Sequence, residues 1–219
     1  MNAVRNIVGA AAALALLTTP LRASAAPTPD ITAVVSQLTA RMDAVAAYKA
    51  RIHLAVHLHS FPFLAANLEG TTSYSRPGHY SVTFDSLPSL ASAFQNVSGD
   101  VGDPAAWSAK YQIAVDPTPP TSAPNTIALR LTEKSKGQVD HALAYVDLAS
   151  HTVTRMEWYY ANGGRIAMEQ HFAPVDGVLL VDTQAADIDM PGYKATAQAV
   201  FDGYDIQVSM NPAHGTTSR

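Results

Sequence analysis

The sequence lacks cysteine altogether and has few charged side chains. None of its 219 residues is Cys, which excludes a disulfide framework, a thiolate metal site and a lipid attached through a thiol. Charged residues make up 15% of the chain and hydrophobic residues 47%, and 14 basic side chains stand against 18 acidic ones. A nucleic-acid-binding protein would show a basic stripe or patch. The charge balance therefore argues against a nucleic-acid partner.

Long hydrophobic runs are also missing, except for one near the N-terminus. The run AAAALALL (10–17) follows Arg5 and precedes the small-residue triplet ASA at 23–25, which is the arrangement of a secretory signal peptide. The run is too short to span a bilayer. We therefore expect residues 1–25 to be a signal peptide that is cleaved near Ala25. The mature protein should then be periplasmic, without stable membrane insertion.

Recognisable catalytic motifs are absent as well. The sequence contains no Gly-x-Ser-x-Gly elbow, no glycine-rich phosphate loop and no His-Glu-x-x-His helix. The polar residues Asp140, His141, Glu157 and Glu169 are predicted to lie on a solvent face. The sequence therefore predicts neither an enzyme nor a bound cofactor.

What the sequence does contain is one helix followed by many strands. Asp30 is a predicted N-cap, and apolar residues then recur at helical spacing up to Val45, which predicts a helix of about four turns ending near Ala46–Tyr48. Short helices are predicted at 88–97 and 103–111, and a proline-rich loop at 116–126. Strands are predicted at 50–60, 67–75, 79–85, 127–132, 139–148, 152–161, 165–173, 177–183 and 194–208. This pattern predicts one α+β domain over 26–210 with a flexible tail at 211–219.

The segment RIHLAVHLHS (51–60) contains three histidines. Ile52, Leu54, Val56 and Leu58 alternate with His53, His57 and His59, which predicts a half-buried strand with all three histidines on its polar face. Neighbouring histidines on one face lie roughly 7 Å apart, too far to share a zinc ion at about 2.1 Å without ligands from another strand. A solvated or titrating face is the favoured interpretation, and a metal site is the alternative.

The segment RMEWYYANGGRIAMEQ (155–170) predicts a hairpin with a three-residue loop, Asn162-Gly163-Gly164. That loop would pair Tyr160 with Ile166 and Trp158 with Met168. Met156, Trp158, Tyr160, Ile166 and Met168 would then share one face. This face is either ordinary core or, together with Ile52–Leu58, the lining of a cavity.

Three segments resemble the LolA/LolB-like periplasmic lipoprotein carriers. LTARMDAVAAYKARIHLAV (38–56) resembles the opening helix and first strand of the family, and EGTTSYSRPGHYSVTFDSLP (69–88) resembles its hairpin with the Arg-Pro pair at Arg76 and Pro77. AYVDLASHTVTRMEW (144–158) is similar to a later strand pair. After the hairpin, however, the chain has SLASAFQNVSGD (89–100) in place of the family's aromatic segment, so the lid region differs and the cargo stays open.

The resemblance implies an incomplete antiparallel barrel whose concave face is covered by helices, with an apolar cavity between them. It assigns Arg76 a role as an inward-pointing latch that hydrogen-bonds the helical lid. The alternative is that Arg76 reaches the rim beside the Pro77 turn and only solubilises the edge. The residues expected to line the cavity are Ile52, Leu54, Val56, Leu58, Tyr74, Tyr80, Val82, Phe84, Met156, Trp158, Tyr160, Ile166 and Met168.

The function predicted on this basis is a monomeric carrier of lipid or lipoprotein acyl chains. It would move them between an inner-membrane donor and an outer-membrane acceptor. Two alternatives belong to other classes of protein. One is a periplasmic sensor module that regulates an envelope partner protein, and the other is a histidine-based metalloenzyme.

Overall fold

The computed structural model describes residues 29–60, 64–76, 78–85, 103–117 and 125–208. In chain order, the elements are helix α1 (Ile31–Ala40), strands β1 (Val45–Leu58), β2 (Leu64–Ser75) and β3 (His79–Phe84), a 3-10 turn (Pro104–Ala106) leading into the short helix α2 (Trp107–Lys110), and strands β4 (Tyr111–Val115), β5 (Thr126–Glu133), β6 (Val139–Asp147), β7 (Thr152–Tyr160), β8 (Arg165–Val175), β9 (Val178–Met190) and β10 (Tyr193–Val208). The helix predicted at 88–97 and the tail predicted at 211–219 lie outside the described residues. Among the residues that the structure describes, no helix has the length and apolar character needed to cross a bilayer.

The ten strands form one antiparallel sheet in the order β3-β2-β1-β10-β9-β8-β7-β6-β5-β4. In the described part of the chain, β3 and β4 each pair on one side only, so the sheet does not close on itself. The first and last strands meet in its interior, where β1 pairs with β10 from Val45↔Val208 to Leu58↔Ala195. The predicted incomplete antiparallel barrel is thereby confirmed.

One face of this sheet carries the core, because side chains alternate along each strand. On β1 the residues Ile52, Leu54, Val56 and Leu58 are buried, and those between them are exposed or half-buried. The inward rows of the other strands join them in a single apolar cluster, against which α1 packs through Val34 and Leu38. We call this the concave face and the opposite side the convex face.

Helix α1 starts where the sequence predicts and ends earlier. The carboxylate of Asp30 accepts a hydrogen bond from the backbone N–H of Thr32 at 3.0 Å, as an N-cap does. The helix ends at Ala40 rather than near 46–48, although Met42 and Val45 continue its spacing. Val45 instead begins β1 and is fully buried in a second, smaller cluster with Val178 and Leu180. A longer helix would remove Val45 from this cluster and unpair the start of β1 from β10.

The β7–β8 hairpin has the predicted loop length but a different register. Trp158 pairs with Ile166 and Met156 with Met168, a shift of two residues from the predicted pairs. The loop is Ala161-Asn162-Gly163, because Gly163 takes the left-handed conformation (φ 85°) and Gly164 is buried where a Cβ would come within 2.5 Å of the Met190 sulfur. A shift of two residues preserves the faces, so the predicted grouping of Met156, Trp158, Ile166 and Met168 holds.

Two strands differ from the prediction for simple reasons. The sequence predicts no strand at 112–115, where β4 forms a sheet edge by pairing with β5 alone among the described strands; β4 overlaps the predicted helix 103–111 only at Tyr111. β9 continues to Met190, beyond the predicted end at 183, since Ala186, Ile188 and Met190 face inwards while Asp187 and Asp189 face out. Small and acidic residues had obscured this alternation in the sequence.

Candidate ligand-binding face

The structure brings the predicted cavity residues together on the concave face. Eleven of them belong to its main apolar cluster: Ile52, Leu54, Val56, Leu58, Val82, Phe84, Met156, Trp158, Tyr160, Ile166 and Met168. The remaining two, Tyr74 and Tyr80, lie at one end of the same face and line a small cavity there. Their contact with a ligand stays a prediction.

Small side chains line part of the concave face, a feature that sequence reasoning missed. On β10, Ala195, Ala197 and Ala199 stand directly opposite Leu58, Val56 and Leu54 of β1, and all three alanines are buried. From Ile52 to Leu58 the apolar row on β1 spans six residue steps, or about 20 Å at a rise of about 3.3 Å per residue. Half of the hydrocarbon thickness of a bilayer is about 15 Å. The apolar stretch is therefore long enough for one acyl tail.

The concave face is polar at the end near Tyr48, away from the apolar stretch between Ile52 and Leu58. Arg41, Tyr48, Tyr74, Tyr80, Gln170, Gln184 and Tyr204 border a cavity of about 60 Å³, together with Leu38, Met42, Pro104, Val153, Phe172, Leu180, Val181 and Phe201. The cavity can hold a polar group of a few atoms, but it is far smaller than the ~300 Å³ of a typical small-molecule pocket. We call this the tyrosine cavity.

The tyrosines of this cavity are packed against one another and stay protonated. The rings of Tyr48 and Tyr74 are stacked with centroids 5.6 Å apart, and Tyr204 meets Tyr48 edge-on at 5.4 Å. Burial raises the pKa of Tyr48, Tyr74, Tyr80 and Tyr204 above the ordinary value of 10.0. All four phenols are therefore neutral hydrogen-bond donors at physiological pH.

Arg41 is the one charged residue among the described residues that line this cavity. It follows the last residue of α1, and its Nη1 donates to the carbonyl oxygen of Leu179 on β9 at 2.5 Å. The guanidinium also lies over the ring of Phe172, with its central carbon 5.3 Å from the ring centroid. Its Nε is buried without a hydrogen-bond acceptor among the described residues. Burial lowers the pKa of Arg41 from its ordinary value, because desolvation disfavours the charged form.

Sequence reasoning missed Arg41, although a signal was present. Arg41 lies three residues after Leu38 and seven after Val34, so a helix places it on the same face as these two buried residues. A cation on an apolar helix face is costly unless it finds partners. A cation in this position is therefore a candidate ligand-binding group.

Arg76, the predicted latch, lies at the rim rather than inside the concave face. Its Nη2 donates to the carbonyl oxygen of Asp43 and lies 3.3 Å from the carboxylate of the same residue, and 41% of its side chain is exposed. Asp43 belongs to the turn between α1 and β1. The bond therefore ties the end of β2 to the segment that follows the covering helix, as a latch would, but in solvent.

The histidines of β1 lie on the convex face or at the strand end. His53 contacts Glu69 (Nδ1–Oε2, 2.5 Å) and Asp202 (Nε2–Oδ2, 3.4 Å), while His57 and His59 are exposed. The hydrogen bond that His53 donates to the Glu69 carboxylate is the main reason why the pKa of His53 lies above its ordinary value of 6.5. Among the residues that the structure describes, no three His, Cys, Asp or Glu side chains are close enough to hold a metal ion.

Glu157 lies on the convex face, as predicted, but it is buried there. Its residue exposure is 3%, because side chains of Arg155, Tyr159 and Arg165 close over it. Arg155 donates at 2.7–2.8 Å, the Tyr159 hydroxyl at 2.5 Å and Arg165 at 3.0 Å. Burial alone would raise the pKa of Glu157, but these hydrogen bonds outweigh it and hold the pKa below 4.5.

The open antiparallel barrel with an apolar concave face is shared with several solved structures. A domain from Vibrio parahaemolyticus assigned to outer membrane lipoprotein sorting superimposes with a TM-score of 0.60 at 11% identity, covering 82% of this chain and 93% of the other. A DUF1329 family protein from Desulfovibrio piger gives 0.58 at 10% identity, covering 84% and 96%. A LolA superfamily protein from Nitrosomonas europaea gives 0.57 at 10% identity, covering 79% and 93%.

These likenesses establish the fold of the chain. The resemblance to the LolA superfamily inferred from the sequence is confirmed at the level of the fold, and identities of 10–11% mark a divergent sequence. No family model and no curated protein sequence matches the chain.

Proposed function

We propose that this protein is a periplasmic carrier that binds an acyl chain of a lipid or lipoprotein along its concave face. The observation that carries the proposal is the apolar stretch from Ile52 to Leu58 opposite Ala195, Ala197 and Ala199. It offers one acyl tail a continuous apolar surface of sufficient length. Three structural neighbours with LolA-like folds, one of them assigned to lipoprotein sorting, support the same class of function.

Loading requires that a covering element move, because the concave face is buried. Helix α1 is suited to this, since it has ten residues and buries only Val34 and Leu38 fully. Burying two such side chains stabilises the packing of α1 on the sheet by about 3–6 kcal/mol. Each methylene of a ligand that is transferred from water to the concave face contributes about 0.8 kcal/mol to binding. A chain of about eight methylenes would therefore offset the separation of α1. A helix of this length is marginal without tertiary contacts.

The remaining parts of the proposal follow the same logic. Residues 1–25 would direct export, residues 26–210 would form the carrier domain, and 211–219 would be a flexible tail. Arg76 would restrain the turn after α1 and so set how readily the lid opens. The protein would work as a monomer that receives cargo from an inner-membrane donor and delivers it to an outer-membrane acceptor, without catalysis.

The test is binding of a fluorescent acyl probe by variants that fill the concave face. Val56→Trp and Met168→Trp add bulk at two buried positions and should weaken probe binding. Overpacking costs roughly 1–3 kcal/mol, so unfolding in urea is measured alongside. Ala55→Trp is the matched control, because Ala55 is the neighbour of Val56 on the convex side of the same strand.

Native mass spectrometry of protein extracted from its own periplasm would identify the cargo directly. Folded Val56→Trp and Met168→Trp variants that bind the probe as the wild type does would refute the proposed site. Unfolded variants, combined with a wild type that binds no acyl probe, would show that the concave face is only a core.

A further inference from the structure

The tyrosine cavity contains a buried cation that its protein surroundings do not neutralise. Among the described residues, no carboxylate lies within 4 Å of the Arg41 guanidinium, and no aspartate or glutamate lines the cavity. Asp43, which belongs to the same turn, is paired with Arg76. Buried cations are ordinarily paired, because an uncompensated charge is expensive to desolvate. Arg41 is nevertheless the only formal charge among the described residues that line the cavity, while the carboxylate of Asp182 lies near Tyr204 and adds to the effect of burial in raising its pKa.

The hydrogen bonds of Arg41 leave one edge of its guanidinium unused. Its bond to the Leu179 carbonyl occupies Nη1, and Nε has no acceptor. Within the described part of the chain this is the only hydrogen bond that the guanidinium makes. The remaining edge, formed by Nε and Nη2, has the two parallel donors that match the two oxygens of a carboxylate. The neutral phenols of Tyr48 and Tyr74, beside it, can donate further hydrogen bonds.

The neighbouring amides are already organised, which gives the cavity a fixed polar wall. Gln184 donates to the side-chain oxygen of Gln170 at 2.8 Å, and Gln170 donates to the carbonyl oxygen of Val153 at 2.9 Å. Tyr204 donates to the carbonyl oxygen of Val181 at 2.5 Å. These bonds hold the surrounding side chains in place, while Arg41 stays without an anionic partner.

The position of the cavity relates it to the apolar stretch. Arg41 and Tyr48 stand at one end of the concave face, and the row from Ile52 to Leu58 leads away from them along β1. The concave face thus carries the Arg41 guanidinium and polar side chains at one end and is apolar for about 20 Å beyond it. A molecule with one anionic head and one acyl tail matches both parts at once.

We infer that Arg41 binds the carboxylate head group of a single-chain amphiphile whose tail lies along the concave face. This inference rests on the proposed carrier function and narrows its ligand to anionic, fatty-acid-like molecules. The acyl chains of a lipoprotein, in ester or amide linkage, have no such head. The cavity, at about 60 Å³, is of a size for a head group alone.

The experiment measures the partitioning of radiolabelled palmitate and hexadecanol between neutral phosphatidylcholine vesicles and the full mature protein. The two probes share a tail and differ in head-group charge. Palmitate should bind roughly 10- to 100-fold more tightly than hexadecanol, and Arg41→Met should remove most of that difference. Arg51→Met is the matched control, since Arg51 is exposed on the convex face beside Asp202 and the variant loses the same charge.

The outcomes separate this inference from the carrier function. If the wild type binds the two probes equally, and Arg41→Met does the same, the head-group site is refuted and the carrier function still holds. Binding of neither probe would refute the carrier function. Hexadecyl phosphate that binds more tightly than palmitate would assign the site to phosphate and overturn the carboxylate assignment.

Arg41 also ties α1 to β9, so Arg41→Met could fail to fold. Arg41→Lys is the second variant, because it keeps the charge and lacks the planar pair of donors. A role in stability alone would lower the urea midpoint of both variants and leave the palmitate-to-hexadecanol ratio at the wild-type value. The wild-type ratio decides the head-group preference even if both variants unfold.

Discussion

Glu157→Gln should destabilise the protein by about 2–4 kcal/mol at neutral pH, because charge-assisted hydrogen bonds contribute about 1.5–3 kcal/mol each. The substitution keeps the shape of the side chain and removes its charge. Its amide would present a donor to Arg155, or to Tyr159 and Arg165, all of which are donors themselves. This cost is below the ~3–5 kcal/mol lost when one partner of a fully buried ion pair is removed. The reason is that both arginine side chains are more than one third exposed and can be solvated by water instead.

Glu169→Gln is the matched control for this prediction. Glu169 binds the same arginine, Arg155, at 2.7 Å, but its side chain is 56% exposed. An exposed ion pair contributes about 0–1 kcal/mol. Urea unfolding of the two variants therefore separates the effect of burial from the effect of losing one negative charge.

The pH dependence supplies a second test of Glu157. Its pKa in the folded protein is below the ordinary value of 4.5, so the folded state favours the ionised form. The resulting stability is present above pH 4.5 and is lost as the pH falls through the lowered pKa. The difference between wild type and Glu157→Gln should shrink over that range. A difference independent of pH, or no larger than that of Glu169→Gln, would refute the idea that the buried carboxylate holds β7 and β8 together.

Three further substitutions test other parts of the structure. Glu69→Gln should flatten the pH profile of the urea midpoint. The His53–Glu69 pair stabilises the folded protein below pH 6.5, and this stability is lost as the pH rises through the raised pKa of His53; an unchanged profile would contradict this. Gly70→Ala should cost about 1–3 kcal/mol, since the new Cβ would meet the backbone of Thr83 and the ring of Phe84. Gly137→Ala, whose Cβ would meet only the carboxylate end of the Glu133 side chain, is its control, and equal costs would argue against the β2–β3 register. Arg76→Leu should speed transfer of an acyl probe to acceptor vesicles by at most about fivefold, because the Arg76–Asp43 pair is exposed. Identical transfer rates and affinities would end the latch proposal.

Alternation predicted the concave face correctly for a physical reason. The side-chain period of a strand is two residues, so the face of Ile52, Leu54, Val56 and Leu58 follows from the sequence without knowledge of strand partners. Helix ends depend on tertiary contacts instead. Val45 has helical spacing, but it is buried against Val178 and Leu180, which are more than 130 residues away along the chain. Nothing near Val45 in sequence announces that contact.

Polar contacts are harder to predict than faces, because they depend on the register itself. The predicted hairpin register would have placed Glu157 directly opposite Glu169, and like charges in that position are destabilising. The observed register places Ala167 opposite Glu157 and Glu169 opposite Arg155. This charge conflict was visible in the sequence and could have selected the correct pairing of strands.

The same dependence on register and on strand order explains why Arg41 stayed hidden while the cavity residues did not. An apolar lining requires only that many residues share a face, and an error of two residues leaves that property unchanged. The environment of Arg41 requires that the end of α1, the carbonyl of Leu179 on β9 and the ring of Phe172 on β8 meet at one point. The end of α1 is separated from the other two segments by more than 130 residues, so only the folded sheet brings them together. Sequence patterns can therefore indicate that a concave apolar face exists, whereas the charge that would select its ligand is defined by contacts between distant segments.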